Sequence, residues 1–75
     1  MIVRVISMIY PRIRELREDN DLSQQFIAHL LNVKQTTYSK YELGRISIPV
    51  ESLILLAAHY HTSVDYLLGL TDSYD

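Results

Sequence analysis

Read for hydrophobic spacing alone, the chain falls into five short helical stretches. Ile13 and Leu16, with Arg17 beside them, share a face at spacings of three and four residues. Ile27, Ala28 and Leu31 repeat the pattern, as do Tyr38 and Tyr41 with Glu42 on the same side. Leu53, Leu56, Ala57 and Tyr60 give a fourth stripe, and Val64, Leu67 and Leu68 a fifth. The punctuation agrees with five helices. Pro11 suits a first helical turn, and Asn20-Asp21 ends that helix. Ser23 is a good N-cap, although Phe26 occupies the place where a capping box would put glutamate. Asn32 tolerates a left-handed backbone, so it can turn the chain without glycine. The third helix is expected over residues 35–43, with Gly44 as its C-terminal cap and a loop over 45–48. Pro49 is expected to start a fourth helix that runs to Tyr60. Thr62, Ser63 and Asp65 supply the start of a fifth, and Gly69 ends it.

The expected fold class is therefore all-α. A helical domain spans residues 8–70, residues 71–75 form a frayed tail, and residues 1–7 form an N-terminal extension. That extension alternates loosely, with Ile2, Val3, Val5 and Ile6 around Arg4, and suits a short strand or a disordered arm. Met8 offers a second plausible start. The N-terminus lacks the long apolar run and cleavage site of a signal peptide. The longest apolar run, 53–58, is far too short to span a bilayer.

Composition adds two points. There are no cysteines among the 75 residues, so neither disulfides nor a thiolate metal site is possible, which fits a cytoplasmic protein. Net charge is −2, but it is unevenly placed. All seven basic residues (Arg4, Arg12, Arg14, Arg17, Lys34, Lys40 and Arg45) precede residue 46, against five acidic ones there, giving +2. Residues 46–75 hold four acidic groups and no basic one, giving −4. A basic, partner-facing end is one reading of this polarity, and chance clustering in a short chain is the other.

The second and third helices lie very close together in sequence. Two helices joined by a turn of three or four residues describe a helix-turn-helix, whose second helix enters the DNA major groove with its N-terminal residues at the base edges. Such a helix needs an uncluttered polar first turn. Gln35, Thr36 and Thr37 provide one. Glutamine can pair with adenine through both ends of its amide, and threonine offers a hydroxyl to a base and a methyl to thymine. Lys40, one turn further on, reaches guanine or a phosphate. Two consecutive β-branched residues are poor at starting a helix, and exposure to bases would explain them. A threonine-rich, solvated helix start explains the same residues, so the local sequence leaves both readings open.

Several motifs in order resemble the lambda-repressor/Cro-like (XRE) helix-turn-helix family. They are Arg12-Ile13-Arg14-Glu15-Leu16-Arg17, then Leu22-Ser23-Gln24 followed by Ile27-Ala28 and Leu31-Asn32-Val33. Next come Tyr38-Ser39, Tyr41-Glu42 and Gly44-Arg45, then Pro49, and last Ser63-Val64-Asp65-Tyr66-Leu67-Leu68-Gly69. The resemblance covers 13–69, nearly the whole domain. It implies that Gln24 contacts phosphate and braces Gln35, and that Gln35, Thr36, Thr37 and Lys40 read bases. Ser23, Gln24, Lys34, Ser39 and Arg45 would then position the sugar-phosphate backbone. For Lys34 and Arg45 an ordinary solvated charge is nearly as good a description. Arg17 and Glu42 match an ion pair that joins the first and third helices.

The resemblance also implies a sequence-specific regulator of transcription, a repressor or autoregulator, binding double-stranded DNA. A domain this small covers one half-site, so a homodimer on a palindromic operator is expected, with a dimer surface on the fifth helix and tail including Tyr66 and Leu70. The alternative is a protein-binding module, such as an antitoxin or a partner of another regulator. The acidic C-terminal third and the apolar Phe26, Leu30 and Leu55 favour that alternative; Phe26 and Leu30 lie on a face that is often polar in the family, and Leu55 and Ala58 add apolar character to the fourth helix. Fold-back of residues 1–7 over that surface, a dimer contact, or scattered surface residues would also account for them. No cofactor or membrane partner is expected. His29, His59 and His61 have no ligand spacing, so no metal site is expected either. His59 and His61 would point to different sides of a helix. No residues assemble into an enzyme's nucleophile and base. The tyrosines suit packing, although Tyr38 sits near enough to the recognition surface to touch the DNA backbone.

Overall fold

The computed structural model describes residues 9–75, and the short strand or arm expected at 1–7 lies outside them, as does Met8. The described chain is five helices: α1 (Pro11–Asp19), α2 (Gln24–Leu30), α3 (Gln35–Glu42), α4 (Val50–Tyr60) and α5 (Val64–Leu68). The all-α expectation is met, with each boundary within two residues of its sequence signal.

The helix ends show why. Ser23 Oγ accepts the Phe26 N–H at 3.0 Å, and Ser63 Oγ accepts the Tyr66 N–H at 3.0 Å. Each satisfies one of the donors that a helix start leaves unpaired. At the other ends the chain turns through left-handed residues: Asp21 (φ 56°), Asn32 (φ 58°), Gly44 (φ 71°), His61 (φ 57°) and Gly69 (φ 79°). After Asn32, the Val33 N–H donates to the Ala28 carbonyl at 2.9 Å. After Gly44, the Arg45 N–H donates to the Lys40 carbonyl at 2.9 Å. These bonds take up carbonyls at the helix ends and fix the direction of the next segment. Two details depart from expectation. Pro49 is the N-cap of α4, not its first helical residue. His61 is the left-handed cap of α4, so it is not on a helix and the argument about opposite helix sides does not apply to it.

The apolar stripes converge on one core. It contains Ile13 and Leu16 from α1, Ile27 and Ala28 from α2, Leu31 from the turn, and Tyr38 and Tyr41 from α3. Leu53, Leu56, Ala57 and Tyr60 from α4 and Leu67 from α5 complete it. Tyr38, Ile27, Leu56 and Leu67 are fully buried, and each of the three aliphatic side chains contributes roughly 1.5–3 kcal/mol by leaving water. The Tyr38 and Tyr41 rings meet edge to face, centroids 6.3 Å apart. Burial pushes the Tyr60 hydroxyl up to about 12 and the Tyr38 hydroxyl further still, so both rings stay neutral in the core.

Residues 71–75, expected to fray, are drawn onto the body. The Arg12 guanidinium sits 4.0 Å from the Tyr66 ring centroid, donates to the Tyr66 carbonyl at 2.8 Å and pairs with Asp72 at 2.8 Å. It also donates to the Thr71 carbonyl. Tyr74 stacks obliquely against Tyr66 at 5.1 Å, and its hydroxyl donates to the Tyr60 carbonyl. One arginine on α1 therefore gathers α5 and the tail. Alternating apolar residues are the usual signal of packing, and this segment has none.

Candidate nucleic-acid interface

The interface is built from α2, the turn at Asn32, and α3. Tyr38 and Tyr41 anchor one side of α3 in the core, which leaves Gln35, Thr36 and Lys40 exposed on the other. The anchored side also carries Glu42. Arg17 Nε donates to Glu42 Oε2 at 2.6 Å, and Arg17 Nη2 donates to Oε1 at 3.1 Å. The pair is nearly dry, with side-chain exposures of 12% for Arg17 and 3% for Glu42. The third guanidinium nitrogen, Nη1, donates to the Leu22 carbonyl at 3.0 Å, so the ion pair also ties down the chain entering α2.

The electrostatics follow from this geometry. The hydrogen bond to Glu42 raises Arg17 further above its already high value, although burial works against it. Burial alone would push the Glu42 carboxyl up. Hydrogen bonds from Arg17 and Gln24 and the charge of Arg17 outweigh burial and hold it below its ordinary 4.5. The Tyr38 hydroxyl is close enough to share in that stabilisation, but its geometry falls short of a hydrogen bond.

From Glu42 the bonding continues outward. Gln24 Nε2 donates to Glu42 Oε1 at 3.0 Å, and Gln35 Nε2 donates to Gln24 Oε1 at 2.7 Å. Four side chains from three helices thus form one line, from a buried guanidinium to an exposed amide at the first turn of α3. Contact between Gln24 and Gln35 was expected; the link from Gln24 to Glu42 was not.

In front of Gln35 lies a shallow groove of about 350 Å³, lined by Gln35, Thr36, Ser39, Lys40, Leu43 and Arg45. It gathers three of the four expected base readers and two of the five backbone-positioning residues. Thr37 is half-buried and does not line it. Ser23 is exposed at the start of α2 but spends its hydroxyl oxygen on the Phe26 N–H. Lys34 is the N-cap residue of α3, exposed and without a side-chain cap bond. Leu43, half exposed at the C-terminal end of α3, is a groove residue that the hydrophobic pattern did not single out. It is the one large apolar side chain there. Tyr38, expected near enough to touch the DNA backbone, is fully buried and cannot, because α3 needs it as its anchor.

Charge is distributed to match. Among the described residues Arg12, Arg14 and Arg17 are each paired with a carboxylate. Lys34, Lys40 and Arg45 are exposed and, among the described residues, lack such a partner. Uncompensated cations therefore collect around α3.

The remaining apolar outliers lie elsewhere. Phe26 is half exposed, and its ring faces His59 on α4 at 5.9 Å. Leu30 is half-buried and packs on the core, while Leu55 and Ala58 stay exposed. No group of three His, Cys, Asp or Glu residues is gathered among the described residues, and no described helix is long and apolar enough to cross a membrane.

Known proteins resemble the chain in sequence and fold. A family model for helix-turn-helix domains matches residues 13–67. The chain is 37% identical over 68 residues to the uncharacterized HTH-type transcriptional regulator YobD of Bacillus subtilis, covering 91% of this chain and 61% of that protein. It is 40% identical over 58 residues to the HTH-type transcriptional regulator AnsR of the same organism, covering 77% of this chain and 50% of that one. Identity to the cryptic phage CTXphi transcriptional repressor RstR of Vibrio cholerae is 34% over 62 residues, covering 83% and 56%. The crystal structure of a transcriptional regulator from Listeria innocua superposes with a TM-score of 0.79 at 30% identity, over 92% of this chain and 64% of that one. The chain thus spans between half and two thirds of the length of these relatives. With the family match running from α1 into α5 and the turn, braced glutamine and ion pair all in place, the chain belongs to the XRE-type helix-turn-helix family.

Proposed function

We propose that the chain is a DNA-binding regulator of transcription that reads a specific sequence in the major groove through α3. The observation that carries this reading is the exposed first turn of α3. Gln35 is held there by Gln24, in a groove rimmed by cations that have no carboxylate partner among the described residues. Gln35, Thr36 and Lys40 supply base contacts, and Thr37 joins them only from the side. Lys34, Ser39, Arg45, Ser23 and Gln24 hold the sugar-phosphate backbone, fixing register without reading sequence. The relatives' names support the assignment: all three curated ones are transcriptional regulators and one is a repressor.

Size supports a homodimer on a palindromic operator, since one α3 covers only a half-site and a two-fold protein places two of them about one helical turn apart, and the one relative named a repressor supports repression. The surface expected for dimerisation is narrower than its sequence suggests. Tyr66 is committed to Arg12 and Tyr74 within its own chain, while Leu70 is 72% exposed and available.

Selection of bound sequences from random double-stranded DNA tests the proposal. The expected result is a short two-fold-symmetric site whose consensus changes at one position per half-site in Gln35→Ala. Failure to enrich any sequence would instead favour a protein-binding role. The specific support for that second reading is the apolar exposure of Phe26, Val50, Ile54 and Leu55 on α2 and α4.

A further inference from the structure

We propose that Leu43, at the last turn of α3, is a specificity-determining residue that reads a thymine methyl group. The inference rests on the DNA-reading assignment above and extends it to the far end of the helix.

Position is its first support. Thr36, Lys40 and Leu43 follow one another at spacings of four and three residues, so they form one stripe along α3. All three are exposed, while Tyr38 and Tyr41 bury the opposite side. Leu43 lies roughly 10 Å further along the helix axis than Thr36. Base pairs stack about 3.4 Å apart, so the two residues face different base pairs. Leu43 does not hang from a loop. Its backbone keeps a helical conformation (φ −82°, ψ −6°), and its N–H donates to the Ser39 carbonyl at 3.0 Å. The side chain is therefore aimed by α3 itself, on the face that the first turn presents to DNA.

Chemistry is its second support. Every other residue lining the groove is polar or charged, yet Leu43 stands among them 51% exposed. A leucine side chain neither donates nor accepts a hydrogen bond, so it gains nothing from a phosphate oxygen or from the polar edge of a base. The apolar group on the major-groove edges of the bases is the C5-methyl of thymine. A thymine methyl set against Leu43 leaves water together with the exposed part of the side chain, which is favourable. Cytosine carries only a hydrogen at that carbon and offers no such contact. The two ends of α3 thus read by different means, hydrogen bonding at the first turn and methyl burial at the last.

Deoxyuridine lacks that methyl and keeps every hydrogen-bonding group of thymidine, so it tests the contact alone. A site is first selected from random double-stranded DNA with the wild type. Each thymidine in it is then replaced singly by deoxyuridine, and affinity is measured by fluorescence anisotropy for the wild type, Leu43→Ala and Leu43→Met. Each protein's own ratio of thymidine to deoxyuridine affinity is compared, which cancels any loss of folded protein. The wild type should lose about fourfold at one thymidine of each half-site, the effect of withdrawing one carbon group from an apolar contact. Leu43→Ala should be nearly indifferent to the same replacement. Leu43→Met, with an apolar side chain of similar reach, should keep the dependence. A selected site with no thymine, or a wild type indifferent to deoxyuridine throughout, overturns the role of Leu43 and leaves the first turn as reader. So does a Leu43→Ala variant that keeps the wild-type ratio at every thymidine while binding all sequences more weakly, which is the mark of a sugar contact. A wild type that selects no DNA overturns the DNA-reading assignment and this proposal with it.

Discussion

Glu42 holds a charge where a charge is costly, with its side chain only 3% exposed and Arg17 as its counter-ion. Breaking a buried pair by neutralising one member leaves the other uncompensated, a cost of roughly 3–5 kcal/mol. For a domain of this length that is on the order of half the total stability. Glu42→Gln should therefore unfold at a much lower temperature in a melt followed by circular dichroism. A drop of only a degree or two would mean that water replaces the pair at little cost. The pair also has a pH signature. The folded state holds the Glu42 carboxyl below its ordinary 4.5. Its stabilisation is therefore complete above that value and is lost as pH falls through the lower folded value. Urea unfolding at a series of pH values should show stability falling in acid below about pH 4.5. Glu42→Gln should show a shallower fall over the same window. The pairing was legible in sequence only through the family motif. Arg17 and Glu42 are 25 residues apart, and local spacing does not connect such residues. Their bond to Gln24 was not legible at all, because a glutamine gives no sign of which neighbour it will meet.

Elements were far more legible than contacts. Helix starts and stops are set by neighbours within four residues, so Ser23, Asn32, Gly44, Ser63 and Gly69 marked them correctly. Where the sequence misled, the cause was a boundary with no usual residue. His61 takes a left-handed conformation at the end of α4, a place where glycine is the common choice. The turn between α2 and α3 provides the sharper test. Asn32, at φ 58°, tolerates the conformation that sets α3 across α2. Asn32→Gly should preserve both stability and DNA preference. Asn32→Val puts a β-branched side chain where the left-handed backbone crowds Cβ, at a cost of roughly 1–2 kcal/mol. It should lower the melting temperature by several degrees and weaken DNA binding beyond that loss, because the turn orients the recognition helix. Equal melting temperatures for the two variants would show that the turn relaxes out of the left-handed region.

At the scale of the whole molecule, the domain sorts its cations. Those on α1 are used internally, Arg12 to gather the tail, Arg17 to hold α3, and Arg14 for Glu18. The sequence showed that positive charge precedes residue 46, but only three-dimensional pairing shows which cations remain to meet phosphate. The contacts of the tail were hidden for the same reason: Arg12 and Asp72 pair across 60 positions of sequence. Lys34 sits exposed at the N-terminal end of α3, where it has no carboxylate partner among the described residues. Each phosphate neutralised on double-stranded DNA steepens the plot of log affinity against log salt by about 0.9. In a two-fold dimer, Lys34→Ala removes two such contacts, so the slope should flatten by about 2. Base preferences should stay as in the wild type, because phosphate contacts carry no sequence information. Binding of one selected operator, titrated at several salt concentrations by fluorescence anisotropy, measures the slope. Selection from random DNA measures the preferences. An unchanged slope would remove Lys34 from the phosphate backbone, and an altered preference would place it at a base edge instead.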